Sequence, residues 1–274
     1  MSLAAASSVT HLPLPTLLRL SLGGWSFFIA ENTLLSHNRT WIIEDVFKGN
    51  EKNYHYAYGA TSTAATAMIV HGYVSLRGAA PLLKQAGSPQ LKAAAFFFQA
   101  VGLAGLSQMA PALQIPVESK ASQSAEKVTG VATPAAPAVW QVRCPFDFKT
   151  SDHDAVTGAG RVSRHSSLWS FASFGLGTAF AVSSIPQAVC LAGPVAVAAI
   201  GGAHQDYRFR RGMGGNLPPD LDSRTSNVPF AAMLTGGQGD VAEAFKSLGS
   251  EVKEINATVA VLAAVGLAVR RGRR

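Results

Sequence analysis

Four histidines, His37, His55, His165 and His204, together with the carboxylate Glu31, are the residues of this chain best suited to chemistry. Imidazole suits iron, copper and zinc, and two imidazoles can hold a haem. Glu31 sits inside an apolar run, where a charge is expensive and marks a functional candidate. Each has a plainer reading. Interfacial histidines end helices and hydrogen-bond to headgroups or loops, and Glu31 is wet if its helix ends beside it. Arg19, at the other end of the same run, can snorkel to an interface. Other patterns carry less. Cys144 in a loop and Cys190 in an apolar run form neither a disulfide framework nor a zinc spacing. Ser166 and Ser167 beside His165 lack the acid and oxyanion partners of a triad. Gly212-Met213-Gly214-Gly215 lacks the strand and the Gly-Lys-Ser/Thr of a phosphate loop.

The elements that must position these residues are apolar. Hydrophobic residues make up 48% of the 274 and charged residues 14%, against about 25% charged in soluble domains. Mean hydropathy is +0.19. From Ser166 to Ala203 there is no Asp, Glu, Lys, Arg or His. A bilayer crossing takes about 20 apolar residues, so this run predicts a hairpin over 164–211, with Pro186 near its turn and a kink at Pro194. Three runs precede it, at 12–35, 54–76 and 93–113, and a short helix with a basic tail follows over 255–274, its apolar run the fifteen residues from Ile255 to Val269. Residues 1–11 read as a leader, 117–162 as a flexible or surface linker, and 212–254 as a polar segment. The expectation is an all-α, multi-pass transmembrane bundle of about six helices, five clear and the last short. The net charge of +7 lies between apolar runs and at the C-terminus, which suits anionic lipid headgroups and not nucleic acid.

Helices that alternate direction place His55, His165 and His204 at one interfacial level, with Glu31 and His37 nearby and His71 at the opposite side. His55, His165 and His204 are therefore the candidate metal or haem ligands. By depth, Glu31 pairs with His55 or Arg164.

The hairpin flanks carry a further signal. Arg164-His165 followed by Leu168-Trp169, the closing Gln205-Asp206-Tyr207-Arg208, and the downstream Thr225-Ser226-Asn227-Val228-Pro229-Phe230-Ala231-Ala232-Met233 resemble the NnrU family, which includes 15-cis-zeta-carotene isomerase. Trp25 with Leu35, and Tyr58 to Ser62, match more loosely. The resemblance implies a multi-pass membrane protein holding haem b between two histidines, with cis–trans isomerisation of zeta-carotene as the activity. It implies a plastid membrane in a photosynthetic eukaryote. At the family's two ligand positions this chain has Asn32 and Thr178, with Gly175 in place of a nearby cysteine; an alternative register places His71 at the first. Two functions follow from the resemblance: a haem-dependent isomerase with new ligands, or a non-catalytic relative binding a lipid, carotenoid or partner protein. Arg164, His165, Asp206 and Arg208 form the shared motif, and their common depth predicts that Arg164 and Asp206 pair across the hairpin's open ends.

Overall fold

The computed structural model describes residues 13–80, 87–110 and 156–272. The expected leader, nearly all of the linker and Cys144 lie outside them. The described residues are helical, with no strand among them. Six long elements dominate: α1 (Leu14–His37), α2 (Glu51–Ser75), α3 (Pro89–Met109), α4 (Ser166–Phe180), α5 (Ile185–Phe209) and, after the short helices described below, the C-terminal Glu254–Gly272.

Their ends follow from local chemistry. Ser88 and Ser184 cap α3 and α5, each accepting a backbone N–H three residues on, and a proline follows each cap. The hairpin turn is Ala181–Ser184, so Pro186 falls in the first turn of α5 and not in the bend. Pro194 lies inside α5, and a π-helical turn follows at Val197–Gly201. Between α1 and α2 the chain makes a helical turn at Arg39–Trp41 and a π-helical one at Ile42–Val46. The polar segment after α5 is more ordered than its composition suggests. It holds α6 (Pro219–Arg224), α7 (Ala231–Leu234) and α8 (Val241–Glu251), after which the chain bends by 84° into α9 (Glu254–Gly272).

The helices pack in the order α2, α1, α5, α4, α3, α9. Small residues set the spacing. A Cβ on Gly102 would fall 2.5 Å from Phe174 N, one on Gly177 2.7 Å from Gln99 N, and one on Gly72 2.2 Å from Leu20 O, so these backbones touch directly. α9 runs against α3: Asn256 Nδ2 donates to Ser107 O at 2.9 Å, and Lys253 Nζ donates to Gln108 O and Ala110 O at 2.8 and 2.7 Å. That ammonium satisfies carbonyls at the C-terminus of α3.

The expectation of five clear spans is met by length and hydropathy in one helix. Among the described residues only α5 is long and apolar enough to cross a membrane alone, with a mean hydropathy of 1.6 over its best window. α8 and α9 reach that mark only as a bent pair. Arg19 and Glu31 interrupt α1, Ala, Thr and Gly dilute α2, and α4 has only 15 residues. The last helix is longer than expected, at 19 residues.

Candidate functional site

The most elaborate polar structure closes the open end of the hairpin. His165, just before α4, places Nε2 2.8 Å from Asp206 Oδ1 on α5, and Arg164 Nη1 lies 3.5 Å from the other oxygen. Asp206 is 5% exposed and Arg208, two residues on, 1%. Arg164 also donates to Asp222 Oδ1 at 2.6 Å, to Asp222 O at 3.0 Å and to Thr225 O. Arg210 grips the same Asp222 through Nε and Nη2 at 2.6 and 2.7 Å. These bonds, from Arg210 first and then Arg164, hold the Asp222 carboxyl down at about 2.

The Thr225–Phe230 stretch locks this arrangement. Asn227 Oδ1 accepts from Trp169 Nε1 at 3.0 Å, Asn227 Nδ2 donates to Ala199 O in the π-helical turn at 3.2 Å, and Asn227 O accepts from Ser163 Oγ at 2.7 Å. Arg164 N bonds Ser226 O and Phe230 N bonds Val162 O. Gly202 is bare because Asn227 and His165 occupy the space of its Cβ. Phe230 adopts a φ of 62°, unusual for a non-glycine residue. The predicted Arg164–Asp206 pairing is present, and Asp222, which depth alone did not single out, is its third member. Farther out, Arg161 makes a paired contact with Glu251 at 2.8 and 2.9 Å, which keeps that carboxyl below its usual range. Charges paired across the hairpin in this way act as a clamp between the start of α4, the end of α5 and α6.

A second polar group lies between α1 and α2. Glu31 is 6% exposed, so the wet reading fails. Its partners are not His55 or Arg164. They are Asn32 Nδ2 at 2.5 Å, Ser62 Oγ at 2.8 Å and Thr61 Oγ1 at 3.3 Å. Asn32 in turn accepts from Tyr58 Oη and donates to Phe28 O.

The candidate ligands do not converge. His55 is about half exposed, 3.6 Å from Glu51; His165 is committed to Asp206; His204 Nε2 is 3.1 Å from Ser36 Oγ, with the His37 ring 5.9 Å away. His71 is exposed on α2. Among the described residues, no three His, Cys, Asp or Glu side chains are grouped to hold a metal. The positions that the resemblance assigns to haem do not fit one either. Asn32 is fully buried in the bonds just given, and Thr178 gives its hydroxyl to Phe174 O while accepting from Gln99 Nε2 at 3.1 Å. At Gly175, a Cβ would lie 2.7 Å from Leu191 O. Neutral amide and hydroxyl groups already engaged with protein are poor iron ligands beside imidazole.

No family model matches the chain, and no curated protein or solved structure matches it.

Proposed function

We propose that this chain is a multi-pass integral membrane protein, built on the plan of the NnrU and 15-cis-zeta-carotene isomerase proteins, that binds a hydrophobic ligand such as a lipid or carotenoid without haem. One observation carries the membrane reading. The helix row is apolar outside and small or polar inside. Leu22, Val70, Phe97, Phe171, Val189 and Leu262, one from each long helix, are all exposed, while Ser21, Asn32, Gln99, Ala65, Ala172 and Ala264 are buried. Water would disfavour that arrangement on every helix, and lipid favours it. Ser21, Asn32 and Gln99 are hydrogen-bonded within the bundle, as a span without water requires. The ligand reading draws on an apolar groove of about 360 Å³ between α3 and α9, lined by Leu103, Leu106, Val259 and Ala263.

Alkaline extraction of membranes should leave the protein in the pellet. Reporters inserted at Gly49 and at Gly87, which flank α2, should report opposite sides; the same side for both would mean that α2 does not cross. Solvent extraction of protein purified in detergent should release a lipid or polyene, and its absorbance should lack a Soret band.

A haem isomerase is the second reading, and the assembled Arg164, His165, Asp206 and Arg208 motif favours it. A Soret band lost on replacing His55, His165 or His204 would support it. Dark conversion of tri-cis-zeta-carotene in bacteria that accumulate it would do so directly. In a photosynthetic eukaryote the plastid membrane is the proposed location.

A further inference from the structure

The apolar groove between α3 and α9 has two unlike ends. Among the described residues no charged side chain lines it. At the end formed by Asn256 and Ala110, the nearby Lys253 ammonium is committed to Gln108 O and Ala110 O at 2.8 and 2.7 Å. Towards the other end stands Arg271, in the last turn of α9, where the helix dipole favours a cation.

Arg271 is held by a neutral partner. Its Nη1 donates to Gln99 Oε1 at 3.1 Å. Gln99 is buried, and its Nε2 donates to Thr178 Oγ1, which donates in turn to Phe174 O. The amide is thereby oriented, with its oxygen towards α9. Gln99 lies one helical turn from Leu103 in the groove wall, so the guanidinium is within about one turn of the groove. Arg271 meets no carboxylate among the described residues, and its remaining N–H groups find no acceptor among them. Those groups are accessible, in contrast to the enclosed Nε atoms of Arg39, Arg164 and Arg208. A guanidinium in a membrane span without a counter-charge is expensive, and one bond to a neutral amide leaves its charge uncompensated.

We propose that the groove binds an acyl chain bearing an anionic headgroup, with the chain along Leu103, Leu106, Val259 and Ala263 and the carboxylate or phosphate on Arg271. Guanidinium recognises both ions through paired N–H groups. From Asn256 to Arg271 α9 rises about 22 Å, which gives room for a chain and its headgroup end to end. A neutral polyene suits the apolar walls but leaves Arg271 without a counter-charge. This assignment rests on the hydrophobic-ligand reading above and narrows it to an acidic amphiphile.

The test uses the full chain in non-ionic detergent, titrated with palmitate and with hexadecanol, which share a chain and differ in charge. Palmitate should bind about tenfold more tightly, the scale of one charge-assisted hydrogen bond. Arg271→Gln should remove that advantage and leave hexadecanol unmoved, which would show the groove intact. Arg271→Lys, which keeps the charge but not the paired N–H groups, should retain part of the advantage. Ala263→Leu, at an exposed position, should fill the groove and weaken both ligands. Phosphatidic acid that displaces palmitate would support a phospholipid as the source of the headgroup; palmitate binding that resists displacement would support a free fatty acid. Equal binding of palmitate and hexadecanol, or a palmitate affinity indifferent to Arg271→Gln, overturns the headgroup site while the apolar groove stands. Binding of neither chain, or indifference of both to Ala263→Leu, overturns the groove as well. Failure of the membrane reading would appear separately, in the alkaline extraction.

Discussion

Trp25 Nε1 donates to the carbonyl of Cys190 at 2.7 Å. That carbonyl is the one Pro194, four residues on, cannot serve, since proline has no N–H. The indole of α1 thus takes the hydrogen bond that α5 lacks. It lies over Gly193, where a Cβ would fall 2.2 Å from Nε1. The proline's missing N–H was legible in the sequence, but the indole that replaces it was not.

Trp25→Phe should therefore destabilise the protein by about 1–3 kcal/mol, the cost of leaving a buried carbonyl unpaired. Pro194→Ala restores an N–H aimed at the same carbonyl, so the double variant should lose less than the sum of the two. Thermal unfolding in detergent of the two single variants and the double one measures this coupling. Strict additivity would mean that the two groups do not compete for Cys190 O.

Breaking the clamp at the hairpin's end should cost more. Asp206→Ala strands the buried Arg164 and His165, and losing one partner of a buried pair typically costs about 3–5 kcal/mol. Asp206→Asn keeps one oxygen for His165 Nε2 and should fall between Ala and the parent. Equal stability of all three proteins would show that Asp222 alone holds Arg164.

Asp222 gives the clamp a pH dependence with a definite sign. Its folded value of about 2 lies below the ordinary 3.8, so its contribution is complete above about pH 4 and fades as pH falls towards 2. The full shift would correspond to about 2.5 kcal/mol. Its partner Arg210 is about half exposed, so solvent screening should reduce the observed loss to about 1–2 kcal/mol. Asp222→Asn should be less stable than the parent at pH 6 and should narrow that gap in acid. A gap that stays constant down to pH 2 would sink this assignment.

Depth along a helix was readable from the sequence only in part. Alternating helices placed Arg164 and Asp206 at one level, and they meet. The same reasoning offered His55 to Glu31, yet Ser62, seven residues farther along α2 on the same helix face, makes the contact, so that depth was two turns off. The three histidines expected at one level have separate partners. The short helices α6 and α7 were missed because tertiary bonds from Asn227 and Arg164 fix that stretch; α8 is amphipathic and capped by Asp240, a local signal that composition alone hid. Only α5 passes on hydropathy alone, because runs rich in Ala, Gly and Thr carry little hydropathy of their own.

Glu31 offers the last prediction, because its carboxylate collects donors from both α1 and α2. Glu31→Ala removes the acceptor for Asn32 Nδ2, Ser62 Oγ and Thr61 Oγ1 together. Thr61 already shares its hydroxyl with Ala57 O and Tyr58 O, at 3.1 and 2.9 Å, and Asn32 retains Phe28 O, so part of the loss is absorbed. The expected cost is about 1–3 kcal/mol. Ser62→Ala should cost about 0.5–1.5 kcal/mol, since one neutral partner goes while the carboxylate keeps two others. In the Glu31→Ala background the Ser62→Ala substitution should become nearly silent, which thermal unfolding of the four proteins would show. An unchanged Ser62→Ala penalty in that background would mean that the hydroxyl matters through packing on α1 and not through the carboxylate.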